Sequence, residues 1–410
     1  MSRTVMIAAG GTGGHVFPGL ATAAALVEAH PDLTIEFVGT ADRLEATLVP
    51  DAGYTLHTVP AMALSRKLSL STFKLPAVLL RAVRQVSGIL RASDVVAAIG
   101  FGGYTSVPLA LAARRGKVPL IVHEQNAVPG VANKLAARAA KAVAVTFEEA
   151  MGGFGSTPTV LTGNPVRPGL IPDGDISDSD ISDGDISDSD EDSEDLRTRL
   201  RALRSTGLEH FGLEPTRSTL LVFGGSQGAQ RINQALTGSV GGWNAPGELQ
   251  ILHAAGKRTI DQTRQDWQTS GVDPDGSCGP DGLKVRCVEF IEQMHLAYAA
   301  ADLVVCRAGA SSIAELTALG LPSLLVPYPY ATADHQTVNA RAVARAGGAV
   351  MMADAEVTSA RMIAAVEPLL VDDDARARMA RAAADFGRPD AAADVADLVA
   401  RAAQLSPRER

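Results

Sequence analysis

Two glycine-rich turns hold the residue types and spacing that could do chemistry in this chain. The first, Gly10-Gly11-Thr12-Gly13-Gly14-His15, follows the apolar run Val5–Ala9. The second, Gly224-Gly225-Ser226-Gln227-Gly228-Ala229, follows Leu220–Phe223. Both lead into helix-like sequence. A helix start presents unpaired N–H groups and about half a positive charge, so it attracts phosphate. Glycines let the backbone come close to the oxygens. Neither turn continues as Gly-Lys-Ser/Thr, which argues against a Walker ATP loop. Neither reads Gly-x-Gly-x-x-Gly, which argues against a dinucleotide site. For either loop alone, a tight strand-to-helix turn without a ligand is the plain alternative. Two such turns, about half a chain apart, suggest two similar α/β domains facing each other across a cleft. A sugar-nucleotide enzyme needs that arrangement, one domain for the donor and one for the acceptor.

The elements that must position these loops alternate between strand-like and helix-like. In the front half, Val5–Ala9, Thr34–Val38, Val95–Ile99, Leu120–His123 and Val143–Val145 read as strands, and Gly19–Ala29 as a helix. In the back half, Leu220–Phe223, Leu249–His253, Val285–Phe290, Leu303–Cys306 and Ser323–Val326 read as strands. Helices fit Gln230–Thr237, Ser312–Leu319, Thr337–Ala346 and Arg361–Leu369, with a last one at about Ala391–Gln404. Alternation of this kind implies parallel sheets covered on both faces. Ligands in such sheets bind beyond the carboxyl ends of the strands. In the front half those ends carry His15, Tyr104, Glu124 and Asn126. The expected domains are 1–165 and 166–385, with the helix near 390–405 returning to the first.

Composition sets the bounds. A chain of 410 residues, 46% hydrophobic and 20% charged, fits two globular cores better than one. Aromatics are only 4%, so the cores must be built from Ala, Val, Leu and Ile. The net charge of -9 misleads, because residues 173–195 hold twelve Asp or Glu and no Lys or Arg; taking twelve negative charges from -9 leaves +3 on the rest. Residues 1–165 carry fourteen Lys or Arg against ten Asp or Glu. A mildly basic front half suits an anionic membrane face or a diphosphate. Cys278, Cys287 and Cys306 form no disulfide framework and match no zinc spacing, which points to a reducing cytoplasm. Val5–Ala9 is too short for a signal peptide, and no apolar stretch reaches the roughly 18 residues of a transmembrane helix. Membrane contact is therefore expected to be peripheral. The candidate is Leu68–Leu90, where Leu70, Phe73, Leu75, Val78, Leu79, Leu80 and Val83 lie among Arg66, Lys67, Lys74, Arg81 and Arg84. A buried core helix with solvated charges is the competing reading. Nucleic acid is not an expected partner.

The acidic segment Asp173–Asp195 repeats Asp-Gly-Asp-Ile-Ser-Asp-Ser-Asp at 173–180 and 183–190. It has almost nothing to bury, so disorder is expected. An EF-hand loop begun at Asp173 would need Gly and Glu where Asp178 and Gly184 stand.

Several stretches, in order along nearly the whole chain, match one family. They are Gly-Gly-Thr-Gly-Gly-His-Val-Phe-Pro-Gly (10–19), Gly-Thr-Ala-Asp-Arg-Leu-Glu (39–45), Gly-Phe-Gly-Gly-Tyr (100–104) and His-Glu-Gln-Asn (123–126). Then come Gly-Asn-Pro-Val-Arg (163–167), Gly-Gly-Ser-Gln-Gly-Ala (224–229), Arg-Ala-Gly-Ala-Ser-Ser-Ile-Ala-Glu (307–315) and Asp-His-Gln-Thr-Val-Asn-Ala (334–340). The chain resembles the MurG family of bacterial glycosyltransferases, which make the lipid II precursor of peptidoglycan. The acidic insert, just after Arg167, departs from the pattern.

The resemblance implies two Rossmann-like domains of the GT-B type. It implies UDP-N-acetylglucosamine on the C-terminal domain and lipid I, an undecaprenyl-diphosphate-linked muramoyl pentapeptide, on the N-terminal one. The reaction would invert the α-linked donor to a β-1,4 bond. A place on the cytoplasmic face of the bacterial membrane, and other wall-synthesis proteins as partners, are implied too. Donor contacts carried over are Thr12, Gly13, Gly14, Asn126, Arg167, Ser226, Ile291, Ser311, Ser312, Glu315, Gln336 and Asn339. Acceptor contacts are Thr12, His15, Tyr104 and Asn126.

The chemistry of these residues fits. Ser311 and Ser312 sit where a helix should begin, and that start can neutralise a leaving diphosphate. Arg167 could clamp it bidentately or be an interdomain ion pair. Glu315, one turn past Ser311, could accept ribose hydroxyls or be an ordinary helix-face charge. Gln336 and Asn339, three apart on one helix face, suit sugar hydroxyls, and His335 could join them. Asp334 is the natural N-cap there. Phe290-Ile291 would line the uracil. His15 is the first candidate base, since an ordinary imidazole pKa of about 6.5 suits work near neutrality. Glu124 is its rival. No Asp-x-Asp pair lies near the expected donor site, so activity without a metal is expected; no cofactor is expected either. A UDP-GlcNAc 2-epimerase on the same architecture and a non-catalytic UDP-sugar-binding protein are the rival classes.

Overall fold

In a computed structural model, the chain is described at residues 3–60, 75–167, 170, 191–224, 229–279 and 281–405. It divides into two compact units: unit 1, Met1–Pro168 with Arg388–Arg410, and unit 2, Gly169–Gly387.

Unit 1 begins β1 (Thr4–Ala8), α1 (Gly13–Ala29), β2 (Thr34–Gly39), α2 (Glu45–Asp51) and β3 (Thr55–Thr58). It continues α3 (Leu75–Ala92), β4 (Val95–Gly100), α4 (Ser106–Gly116), β5 (Leu120–Glu124), α5 (Val131–Ala137), β6 (Ala142–Val145) and β7 (Thr159–Leu161). The seven strands are parallel, in the order β3-β2-β1-β4-β5-β6-β7. Along β1 every residue is buried, because the sheet is covered twice. Val5 and Ile7 face one apolar cluster with Val16, Leu20 and Ala23 of α1. Met6 and Ala8 face the other, with Val86 of α3 and Leu109 of α4.

Unit 2 runs α6 (Glu191–Ala202), α7 (Arg204–Phe211), β8 (Ser218–Phe223), α8 (Gln230–Thr237), β9 (Leu249–Ala254), α9 (Ile260–Thr269), β10 (Asp275–Cys278) and β11 (Lys284–Val288). Then follow α10 (Met294–Ala300), β12 (Leu303–Cys306), α11 (Ala310–Ala318), β13 (Ser323–Leu325), α12 (His335–Arg345), β14 (Ala349–Met351), α13 (Ser359–Val371) and α14 (Asp373–Phe386). The order is β10-β11-β9-β8-β12-β13-β14, parallel apart from the β10–β11 pair. The last helix, α15 (Ala391–Ala402), belongs to unit 1. Its Val395, Ala396 and Val399 are buried in the same cluster as α1.

Three differences from the sequence expectations have physical causes. Helix α1 starts at Gly13, not Gly19, so His15 lies in its first turn; Pro18 is accommodated inside the helix. Val83, expected in a membrane patch, is core, because α3 turns Ala82, Val83, Val86 and Leu90 inward. Residues 68–74 of that patch lie outside the described residues. Most of the acidic segment does too, but its last five residues open α6. Leu200 and Leu203 anchor that end by burying themselves.

Candidate functional site

Both sheets reverse strand order at one point, β1/β4 in unit 1 and β8/β12 in unit 2. Ligands of open α/β sheets bind in the crevice beyond the strands there. The first glycine turn follows β1, and Gly100-Phe101-Gly102-Gly103 follows β4. The second glycine turn follows β8, and Arg307-Ala308-Gly309 follows β12 into α11.

In unit 1 the two turns meet closely. A Cβ on Gly103 would lie 2.5 Å from the Gly10 carbonyl oxygen, and one on Gly102 would lie 3.2 Å from His15 Nε2. Gly102 and Gly103 both hold positive φ, at 94° and 75°. Ser106 locks the turn, accepting from Gly102 N–H at 2.9 Å and donating to the Gly102 carbonyl at 2.7 Å. Thr12 is the extended N-cap of α1 and makes no side-chain cap bond, which leaves this start to other donors and acceptors. His15 Nδ1 lies 3.1 Å from the Gly10 carbonyl oxygen and 3.4 Å from Thr12 Oγ1. A carbonyl only accepts, so this contact puts a proton on Nδ1, and in the neutral imidazole the lone pair is then on Nε2.

Glu124 lies next to this turn but is buried and heavily engaged. Its carboxylate accepts from Asn126 N–H at 3.0 Å, Gly130 N–H at 2.9 Å and Asn133 Nδ2 at 2.8 Å. That pattern shapes the loop after β5 and seats Asn126. Burial pushes the neighbouring His123 imidazole down to about 4, and its Nε2 donates to the Gly163 carbonyl at 2.9 Å. Tyr104 is 41% exposed at the rim. The Arg167 guanidinium sits over the Phe17 ring of α1, 5.3 Å from its centroid.

In unit 2, α11 begins after Gly309, an extended N-cap with no side-chain cap bond. Ser311 Oγ is buried there without a hydrogen-bond partner. Glu315, one turn on, is buried and accepts the Tyr298 hydroxyl at 2.8 Å. Beneath the turn lies Arg307. Its Nη1 donates to Asp354 at 2.6 Å and to the carbonyls of Val326 and Pro327 at 3.4 and 3.2 Å. Asp354 also pairs with Arg231 of α8 at 3.1 Å. Two guanidiniums share one carboxylate, so the cluster carries net positive charge beside a helix start.

Gln336 accepts from Tyr328 N–H at 2.9 Å, and Asn339, fully buried, donates to the Ala308 carbonyl at 3.4 Å. Asn339 thus supports the turn from below. Asp334 is the N-cap residue of α12, yet its side chain accepts from the Thr337 hydroxyl and caps no backbone N–H. Ala333 and Asp334 both hold left-handed φ, 52° and 53°. Strain of that sort is concentrated at functional sites. Ile291 is buried, while Phe290 is 74% exposed. Ser226 lies outside the described residues. Among the described residues no group of three or more His, Cys, Asp or Glu could hold a metal ion.

Sequence reasoning missed Glu45, Arg231, Arg307 and Asp354 as parts of the site. Glu45 and Arg307 stand inside the matched stretches, where each read as one letter of a motif.

Two Rossmann-like domains, each with a helix start at its switch point, define a glycosyltransferase of the GT-B class. The chain belongs to glycosyltransferase family 28: the family's N-terminal domain matches residues 5–145 and its C-terminal domain residues 219–395. It is 37% identical over 406 residues to the UDP-N-acetylglucosamine--N-acetylmuramyl-(pentapeptide) pyrophosphoryl-undecaprenol N-acetylglucosamine transferase of Desulforamulus reducens, covering 99% of both chains. The crystal structure of Acinetobacter baumannii MurG matches with a TM-score of 0.71 at 27% identity, over 98% of this chain and 100% of that one. A Neisseria meningitidis UDP-GlcNAc 2-epimerase bound to UDP-GlcNAc matches with a TM-score of 0.62 at 11% identity, over 97% and 100%. That last likeness is one of fold.

Proposed function

We propose that this chain transfers N-acetylglucosamine from UDP-GlcNAc to the 4-hydroxyl of the muramoyl unit of lipid I, with inversion, giving lipid II. The observation that carries this reading is the relationship to the Desulforamulus reducens transferase, which extends through both units. Unit 2 takes the donor. The start of α11, Ser311, Ser312 and the Arg307–Asp354–Arg231 cluster receive the negative charge of the leaving UDP. Glu315, oriented by Tyr298, accepts ribose hydroxyls; Gln336 meets the sugar, Asn339 supports the turn, and Ile291 backs the base. Unit 1 takes the acceptor through Thr12, Tyr104 and Asn126, and His15 Nε2 takes the proton from the attacking hydroxyl. Arg167 joins the diphosphate. Glu124, with its carboxylate engaged, orders the acceptor loop.

No helix among the described residues is long and apolar enough to cross a membrane. Contact with an anionic cytoplasmic membrane surface is assigned to α3, where Leu80 is 47% exposed, next to Arg81 and one turn before Arg84.

The test is UDP release from purified protein given UDP-GlcNAc, with and without a short-chain lipid I analogue, with mass analysis of products. Acceptor-dependent release and a disaccharide-lipid are expected, in EDTA as in buffer. Interconversion of UDP-sugars without acceptor would replace this reading with an epimerase.

A further inference from the structure

Glu45 is a buried charge in unit 1 that the reaction above does not use. It opens α2, has no exposed surface, and accepts three hydrogen bonds. They come from Gly11 N–H at 3.0 Å, Thr40 N–H at 3.0 Å and the Thr40 hydroxyl at 2.7 Å. The chain makes room for this carboxylate. A Cβ on Gly10 would lie 2.9 Å from Glu45 Oε1, and one on Gly39 would lie 2.6 Å from its Cγ.

The bond to Gly11 has a consequence one peptide away. Gly11 N–H and the Gly10 carbonyl belong to the same planar trans unit, in which N–H and C=O point in opposite directions. One end meets Glu45; the other meets His15 Nδ1 at 3.1 Å. At Gly11 itself φ is +102° and an added Cβ would meet nothing within 4 Å, so no neighbouring atom crowds that side of the residue. Fixing the N–H therefore fixes the carbonyl, and a carboxylate on the N–H polarises the carbonyl into a stronger acceptor.

We propose that Glu45 is a positioning residue for His15, acting through the Gly10–Gly11 peptide to hold the proton on Nδ1 and the lone pair on Nε2. The role of His15 as base rests on the transferase reading; the tautomer does not.

The experiment is long-range proton–nitrogen NMR on protein with nitrogen-labelled histidine, with the His15 signal assigned by its loss in His15→Gln. Wild-type protein is expected to show the Nδ1–H tautomer. In Glu45→Gln the amide NH2 would face Gly11 N–H or the Thr40 donors, and His15 is expected to become a tautomer mixture. Transfer to the lipid I analogue should fall between about 10- and 100-fold in kcat, with KM for UDP-GlcNAc unchanged. Deuterium uptake should rise in peptide 9–16 while the strands of unit 1 keep their protection. An Nε2–H tautomer in the wild type overturns the proposal, with no variant needed should Glu45→Gln fail to fold. A folded Glu45→Gln with the wild-type tautomer and kcat overturns it too. The wild-type tautomer together with no transfer at all would leave the positioning role standing and remove the transferase reading.

Discussion

Unit 1 holds its switch-point turn with a carboxylate, and unit 2 holds its own with a guanidinium. Glu45 takes an N–H and adds negative charge beneath the first glycine turn. Arg307 takes two carbonyls and adds positive charge beneath the α11 start. The two sheets share a parallel core that reverses strand order at one point, so at that point the difference lies in the groups the chain places under it. The turn before α11 is tied to its neighbours by the Arg307 side chain, which reaches the Val326 and Pro327 carbonyls after β13, and by Asn339 on the Ala308 carbonyl, so its N–H groups are left for an anion. A turn fixed through an N–H directs a carbonyl to an imidazole. In the proposed reaction one fold serves leaving-group stabilisation in one copy and proton transfer in the other.

The comparison can be broken at its chemistry first. His15→Ala should lower kcat by about 10²–10⁴-fold with UDP-GlcNAc affinity by calorimetry unchanged; a kcat near wild type would remove the proton-transfer role from unit 1. Asp354→Asn leaves two guanidiniums around a neutral amide. It should cost about 3 kcal/mol in urea unfolding, whereas a change under about 0.5 kcal/mol would place that cluster among surface ion pairs.

Each unit also buries one neutral histidine, which gives a matched pH test. Burial pushes His123 down to about 4 and His253 down to about 3. In unit 2, Trp267 Nε1 donates to His253 Nδ1 at 3.2 Å, so its Nε2 donates to Asn233 at 3.0 Å. Both folded values lie below the unfolded value of about 6.5, so the unfolded chain binds protons first. Stability is then whole above about pH 6.5 and falls as pH drops toward the folded values, by about 2 kcal/mol per histidine at pH 5. Urea midpoints at pH 7.5 and 5 measure it, and His253→Gln should make the slope shallower.

Glycine substitutions compare the turns themselves. Gly103→Ala, forced against the Gly10 carbonyl at positive φ, should destabilise by about 2 kcal/mol. Gly309→Ala should change stability by under about 0.5 kcal/mol, since its φ is -68° and the nearest atom to an added Cβ is 3.9 Å away. Equal thermal shifts would show that the turns are held alike. Ser311→Ala should act on binding and not on stability. Removing a buried, unpartnered hydroxyl should leave the melting temperature level or slightly raised, while UDP affinity weakens by about 1 kcal/mol, roughly fivefold.

Strands in the middle of both sheets were legible as apolar runs, because helices on both faces require apolar residues at every position. The four strands the sequence hid are β3, β7, β10 and β14, which are the four sheet edges. Edge strands are short and partly solvated, like Thr55–Thr58 and Asp275–Cys278, which carry no such run; Ala349–Met351 is apolar but only three residues long. Helix α14 hid for a related reason, being mostly alanine and arginine with only Ala383 buried. At the site, glycines and His15 announced themselves by local spacing. Glu45 and Arg307 did not, since their partners lie in other elements and a buried charge looks like a surface one until its contacts are known.

The return of α15 to unit 1 has a bearing on biogenesis. The cluster of Val16, Leu20 and Ala23 is closed by Val395 and Val399. A ribosome must add some 220 residues after residue 168 before that helix emerges, roughly 10 to 45 seconds at ordinary rates. Through that interval the nascent first unit has an uncovered apolar flank, a natural stop for a chaperone, while unit 2 has all its residues and can fold. Truncation before residue 391 should therefore leave unit 1 prone to aggregation and spare unit 2, since α15 closes the first core only after all of unit 2 has been made.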